Sequence, residues 1–202
     1  MTDARRTQFL LGLTGSIGMG KSTAAEMFKD AGAAVWDADA AVHRLYSGGG
    51  AAVEPVAALV PEALVNGAID RNVLKSWIAE QPERLSELEK VVHPLVAADR
   101  QDFIASSDAK VLVFDIPLLF ETKADAWLDA VAVVTTDNET QKSRVLARPG
   151  MTEERFNMIL SKQLPDKEKR ERADYIIPSD TLEGARAAVQ DTMKDILDRL
   201  HA

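Results

Sequence analysis

Cysteine is absent from the 202 residues. No disulfide, thiolate nucleophile or cysteine-based zinc site can therefore exist, and a chain without disulfides fits a reducing compartment. Excess positive charge is also missing: 24 Lys and Arg stand against 32 Asp and Glu, a formal net charge of −8. Wrapping a nucleic-acid backbone requires clustered cations, so no nucleic-acid partner is expected. The three histidines, His43, His93 and His201, show no metal-ligand spacing. Long apolar runs are lacking as well. Met1 to Gln8 is polar, and the apolar run from Phe9 to Leu13 leads straight into glycines, too short for a signal-peptide core or a membrane span. These absences lead to the expectation of a cytoplasmic, non-membrane protein; a monomer or small homo-oligomer is expected, though no residue pattern chooses between them. Aromatics are few, and Trp36, Trp77 and Trp127 are expected in the core or in a pocket wall.

What is present is an ordinary globular composition, 46% hydrophobic and 28% charged, enough for one sizeable core and a smaller appended subdomain. Five short apolar runs, Phe9–Thr14, Ala34–Asp37, Val111–Asp115, Ala130–Thr135 and Tyr175–Ile177, do not alternate and read as buried parallel strands. Between them, Lys21 to Ala31 carries Ala24, Met27, Phe28 and Ala31 on one helical face, with Gly32 as terminator. Leu182, Ala185, Val189, Ile196 and Leu200 mark an amphipathic closing helix. The alternation predicts an α/β fold with a doubly wound, five-stranded parallel sheet. Two segments interrupt it. The stretch 41–107 shows no strand-like run; it opens on a glycine tract, Ser47 to Gly50, expected to be flexible, and then reads as a helical insertion in which Pro94 should kink or split a helix. The stretch 138–173 is rich in charge and reads as a mobile helical hairpin. The core is then 1–40, 108–137 and 174–202.

Gly15-Ser16-Ile17-Gly18-Met19-Gly20-Lys21-Ser22 fits G-x-x-x-x-G-K-[ST] at every position, between a strand and a helix. Glycines let the backbone curl so that successive N–H groups face inward, and the helix start adds a positive dipole end. Lys21 supplies a cation to the β- and γ-phosphates of ATP, Ser22 a hydroxyl to Mg²⁺, and Thr23 is expected to touch the α-phosphate.

Carboxylates follow two of the strands. Asp37-Ala38-Asp39 stands where ligands lie in open α/β sheets and can take a hydroxyl proton from an acceptor; the competing reading is a helix N-cap. Asp115 ends an apolar strand in the manner of the second Walker pattern and is a candidate for holding Mg²⁺. Arg144 and Arg148 share a helical face before Pro149-Gly150, so a closing segment could bring either to the charge that develops in phosphoryl transfer; the competing reading is a solvated charged helix. Thr122-Lys123-Ala124-Asp125 is a permitted form of the guanine signature of small GTPases, which would make the protein a nucleotide switch. Against it, Asp115-Ile116-Pro117-Leu118 replaces D-x-x-G, and Thr122 to Asp125 lies between two strands.

Taken in order, Leu13 to Thr23, Asp37-Ala38-Asp39, His93-Pro94-Leu95, Asp115 to Glu121, Gln141 to Arg148, Gln163 and Ala173-Asp174 resemble the motifs of the dephospho-CoA kinase family across nearly the whole chain. The resemblance implies a P-loop NTPase-type core, a helical acceptor-binding domain at 41–107 and a lid at 138–173. It implies Mg²⁺-dependent transfer of the ATP γ-phosphate to the ribose 3′-hydroxyl of dephospho-CoA. Asp39 would serve as base or orienter, Lys21 as phosphate clamp, and Arg148 with Arg144 as lid cations. Asp37, Asp39, His43, Arg44, His93, Pro117 and Leu118 would meet the acceptor. The chain departs from the family at His43, where arginine is frequent, and at Pro178-Ser179-Asp180, where asparagine often follows the last strand. A kinase for another small acceptor, such as a nucleoside monophosphate, is the same-class alternative.

Overall fold

The computed structural model describes residues 8–201. In chain order, β1 (Phe9–Thr14) leads into α1 (Lys21–Asp30), and β2 (Ala34–Asp37) into α2 (Ala38–Tyr46). Helix α3 (Val53–Leu59), a small hairpin of β3 (Leu64–Val65) and β4 (Ala68–Ile69), and helices α4 (Arg71–Glu80) and α5 (Arg84–Ser106) follow. The chain continues through β5 (Val111–Asp115), β6 (Ala130–Thr135), α6 (Asn138–Leu146), α7 (Glu153–Leu160), α8 (Asp166–Glu171), β7 (Tyr175–Pro178) and α9 (Leu182–His201).

The five longer strands form one sheet in the order β2-β5-β1-β6-β7, with β1 parallel to β5 and β6, and β6 parallel to β7. The expected strands match, the last one residue longer. Leu11 and Leu13 of β1, Val113 of β5 and Val134 of β6 pack with Met27 and Phe28 of α1 and Val189 and Ile196 of α9. Leu119 and Phe120 pack with Val131 and Val133. Continuous burial along β1, β5 and β6 explains the absence of alternation in their sequences. The parallel arrangement sends the loops after β1, β5, β6 and β7 to one edge of the sheet, where the site is built.

The chain divides into two compact units, residues 36–107 and the remainder. The helical unit has its own core of Val56, Ala63, Leu74, Leu88 and Val92, among others. Two expectations for it need correction, and a third, at Pro94, is narrowed. It does contain strands: Leu64↔Ile69 and Val65↔Ala68 pair antiparallel around Asn66 and Gly67, both at positive φ, the two-residue hairpin that Asn-Gly favours. Pro94 does not split α5, which runs 23 residues. Pro94 and Lys90, whose carbonyl the proline leaves unpaired, are both exposed, so water can take up the lost bond. The Ser47–Gly50 tract is a closed turn: Gly50 N–H donates to the Ser47 carbonyl at 2.8 Å, and a Cβ at Gly50 would lie 2.3 Å from the Leu45 carbonyl oxygen. The charged segment 138–173 holds three helices, α6, α7 and α8, instead of a two-helix hairpin. Among the described residues no helix is long and apolar enough to cross a membrane.

Candidate active site

Between β1 and α1 the chain turns on two glycines at positive φ, Gly18 at 82° and Gly20 at 86°. Met19 N–H donates to the Ser16 carbonyl at 3.1 Å across the turn. Gly20 is the N-cap of α1, with no side-chain cap, which leaves the first amides of the helix for an anion. Ser22 and Thr23 are exposed on its first turn. Buried Met19 anchors the loop from beneath, its sulfur accepting from Thr136 N–H at 3.3 Å.

Lys21 and Asp115 meet directly: Nζ of Lys21 donates to Oδ1 of Asp115. Asp115 is only 3% exposed, and a buried carboxylate needs a cation or donors to offset its lost hydration. Its position is fixed by the register Leu13↔Asp115 between β1 and β5. Beyond it, Ile116 N–H donates to the Leu13 carbonyl at 3.0 Å and the Thr14 hydroxyl donates to the Pro117 carbonyl at 3.2 Å. Pro117 is thereby held by its backbone, while Leu118 is exposed. The Thr122–Asp125 stretch does not end a strand: Lys123 is left-handed and Ala124–Trp127 is a short 3-10 helix.

The two arginines, Arg144 and Arg148, part company. Arg144, in the last turn of α6, donates to the Ser179 hydroxyl at 3.0 Å and to its carbonyl at 2.7 Å, and the Ser179 hydroxyl donates to the Met19 carbonyl at 2.7 Å. Arg148 lies beyond the helix end, exposed. Both arginines line a cavity of about 280 Å³ with Gly18, Gly20, Thr23, Thr181 and Leu182. The cavity lies beside the first turn of α1, on the side of Ser179.

In the helical unit the assigned acceptor residues occupy α2 and α5. Asp37 caps α2, its carboxylate accepting from Ala40 N–H at 2.8 Å; the capping reading describes Asp37. Asp39 is exposed on the first turn of α2 and is not part of that cap. His43 and His93 are exposed. Arg44 is bound to Asp99 at 2.7 Å, an acid that also accepts from the Trp36 indole at 2.7 Å. Burial alone would raise the Asp99 carboxyl, but Arg44 and Trp36 together hold it below its ordinary value.

The structure also gives contacts to Gln141, Gln163 and Glu121, which the motif resemblance named without a role, and to Lys169, which it did not name. Ile17 N–H donates to Gln163 Oε1 at 3.1 Å, and the Ile17 carbonyl accepts from Gln141 Nε2 at 2.8 Å. Glu121 accepts from Leu164 N–H at 2.7 Å and pairs at 2.9 Å with Lys169, whose side chain is 0% exposed. Burial pushes Glu121 up, and the Lys169 ammonium with the Leu164 amide outweighs it, leaving the carboxyl below its usual range. A charged residue in a charge-rich helix gives no sequence sign of burial, and a glutamine's partner is a matter of tertiary placement.

A parallel sheet that delivers a curled glycine loop, its lysine and a buried strand-end carboxylate to one edge defines a P-loop nucleotide-binding protein. The comparisons narrow this. The family model described as dephospho-CoA kinase matches residues 9–183, and the chain belongs to that family. A dephospho-CoA kinase of Ruegeria pomeroyi is 59% identical over 188 residues, covering 93% of this chain and 95% of that one. A crystal structure from Thermus thermophilus superposes with a TM-score of 0.82 at 33% identity, covering 96% and 98% of the two chains. The dephospho-CoA kinase structure from Campylobacter jejuni, at 23% identity, a TM-score of 0.65 and coverage of 94% and 98%, shares the fold.

Proposed function

We propose that this enzyme transfers the γ-phosphate of ATP to the ribose 3′-hydroxyl of dephospho-CoA, giving coenzyme A and ADP. The observation that carries the reading is the loop at 15–22, with its two left-handed glycines, its uncapped helix start and Lys21. The triphosphate lies along the loop amides and the first turn of α1, and the base occupies the cavity lined by Arg144, Thr181 and Leu182. The acceptor oxygen attacks the γ-phosphorus, the bond to the β–γ bridging oxygen breaks, ADP leaves, and the hydroxyl proton passes to Asp39. Being exposed and outside the α2 cap, Asp39 is the better candidate of the two aspartates. Lys21 offsets charge at the β- and γ-phosphates, and Arg148, exposed at the cavity, stabilises the group in flight. Arg144, pinned to Ser179, braces the cavity wall.

The donor set at this edge, one hydroxyl on Ser22 and one carboxylate on Asp115, suits Mg²⁺, an ion that keeps several waters and takes few protein ligands when phosphates supply the rest. When bound it would neutralise charge on the phosphate oxygens. Asp37, His43, Arg44, His93, Pro117 and Leu118 are proposed as acceptor contacts. We further propose a cytoplasmic enzyme, in keeping with the absence of cysteine, with no nucleic-acid partner, in keeping with the net charge of −8, and a monomer or small homo-oligomer. A coupled ADP-release assay across dephospho-CoA, nucleosides and nucleoside monophosphates tests the reading. Acceptor-dependent release with dephospho-CoA alone is expected. Release driven equally by a nucleoside monophosphate, or independent of any acceptor, would overturn it.

A further inference from the structure

The outer side of the phosphate loop is held by side chains that arrive from a distant part of the chain. Ile17 is bonded on both of its backbone groups: its N–H to Gln163 Oε1 at 3.1 Å and its carbonyl to Gln141 Nε2 at 2.8 Å. Each bond fixes a different peptide plane. In a trans peptide the C=O and the following N–H point in opposite directions, and no cis peptide occurs among the described residues. Holding the Ile17 carbonyl on Gln141 therefore turns the Gly18 N–H the other way, away from α6. Holding the Ile17 N–H on Gln163 likewise turns the Ser16 carbonyl away from Gln163, and that carbonyl accepts the Met19 N–H at 3.1 Å. The two glutamines thus set which way the amides at the loop crest face.

Gln163 is itself positioned. The next residue, Leu164, donates its N–H to Glu121 at 2.7 Å, and Glu121 is paired with the buried Lys169 at 2.9 Å. A chain of contacts runs from Lys169 through Glu121 and Leu164 to Gln163 and then to Ile17. Its members come from α8, from the segment after β5, and from the turn after α7, so the loop geometry depends on how these pack.

We propose that Gln163 is a positioning residue for the nucleotide: together with Gln141 it presets the peptide planes at Ile17, so that the loop is shaped for a triphosphate before one arrives. The inference rests on the reading of residues 15–22 as the triphosphate cradle. Without Gln163 the Ser16–Ile17 plane can rotate, and binding must then reorder it.

The test compares Gln163→Met, which keeps side-chain length and removes the acceptor, with wild type and with Lys21→Ala. Steady-state kinetics are run in both substrates and ADP binding is followed by calorimetry. Gln163→Met is expected to raise the KM for ATP and the Kd for ADP on the order of 10-fold, the scale of one lost, partly buried hydrogen bond, with the KM for dephospho-CoA within about twofold. A purely structural role would lower the active fraction and kcat and leave both KM values alone; that result, or no change at all, overturns the proposal. If Lys21→Ala also leaves nucleotide binding intact, the cradle reading falls with it; if Lys21→Ala abolishes binding and Gln163→Met does nothing, only the positioning role of Gln163 falls. Should Gln163→Met fail to fold, amide hydrogen exchange on the nucleotide-free wild type decides: protection of the Ile17 amide is expected, and exchange at the rate of an open loop overturns the proposal.

Discussion

Replacing Gly18 by alanine should damage both stability and nucleotide binding, for two separable reasons. The backbone at Gly18 has φ of 82°, and an L-residue in the left-handed region costs about 1–2 kcal/mol. The new Cβ would also stand 2.5 Å from Cγ2 of Val145 and 3.0 Å from the Gln141 carbonyl oxygen. Val145 is fully buried and the carbonyl belongs to α6, so neither can give way cheaply; overpacking of this kind costs about 1–3 kcal/mol. The sum is about 2–5 kcal/mol, or a fall of roughly 4–20 °C in Tm for a chain of this size. Gly32→Ala is the internal control. Its φ is 94°, yet nothing lies within 4 Å of the added Cβ, so only the backbone cost of about 1–2 kcal/mol applies. Thermal unfolding and ADP calorimetry on both variants separate the terms. Gly32→Ala should lose a few degrees and bind ADP as wild type does. Gly18→Ala should lose more and bind at least 10-fold more weakly, since the loop must leave α6 to relieve the clash. Equal Tm values with unchanged ADP affinity would refute the packing of the loop crest against α6.

Three other outcomes follow from the same contacts. Asp39→Asn should lower kcat far more than it weakens ATP affinity, because the residue is assigned to the acceptor hydroxyl; equal losses in steady-state kinetics would mark it as structural. Lys169→Met should cost about 3–5 kcal/mol at neutral pH by leaving Glu121 without its buried cation. The Glu121 pKa is depressed in the fold, so its stabilisation is present above the unfolded value, about 4.3, and fades as pH falls through the folded one. Denaturant melts of wild type and variant should therefore converge in acid; a gap independent of pH would show that Lys169 acts by packing alone. Lys21→Ala should abolish activity and also lower stability by at most about 3–5 kcal/mol, since Asp115 loses its cation. Lys21→Ala with Asp115→Asn should regain stability without activity, which melts and a single-turnover assay can check.

Much of the frame was legible because local chemistry and tertiary role agree. The bounds of β1, β5 and β6 follow from apolar runs that no helix period explains, and the loop from glycines whose left-handed φ values leave few alternatives. Asn66-Gly67 shows the opposite failure. Its hairpin signal is plain in the sequence, but the flanking strands are two residues each and lie among helical patterns, so length argued against them. The helix runs on through Pro94 because the residues around the break are exposed and water can take up the freed carbonyl. The contacts of Gln141, Gln163 and Lys169 had no local signature at all. Each depends on which helix lies opposite, a property of the assembled fold.

The Lys21–Asp115 pair links stability to catalysis. The lysine is assigned to the triphosphate and the aspartate to the metal, yet each is the other's partner here. A carboxylate 3% exposed would be costly alone, so the lysine keeps the site charge-balanced. Nucleotide arriving with its own cation can then take both partners at once, exchanging one ion pair for two. The same pairing explains why the lysine cannot be judged by activity alone: its loss removes the charge assigned to the triphosphate and also takes the paired cation from Asp115.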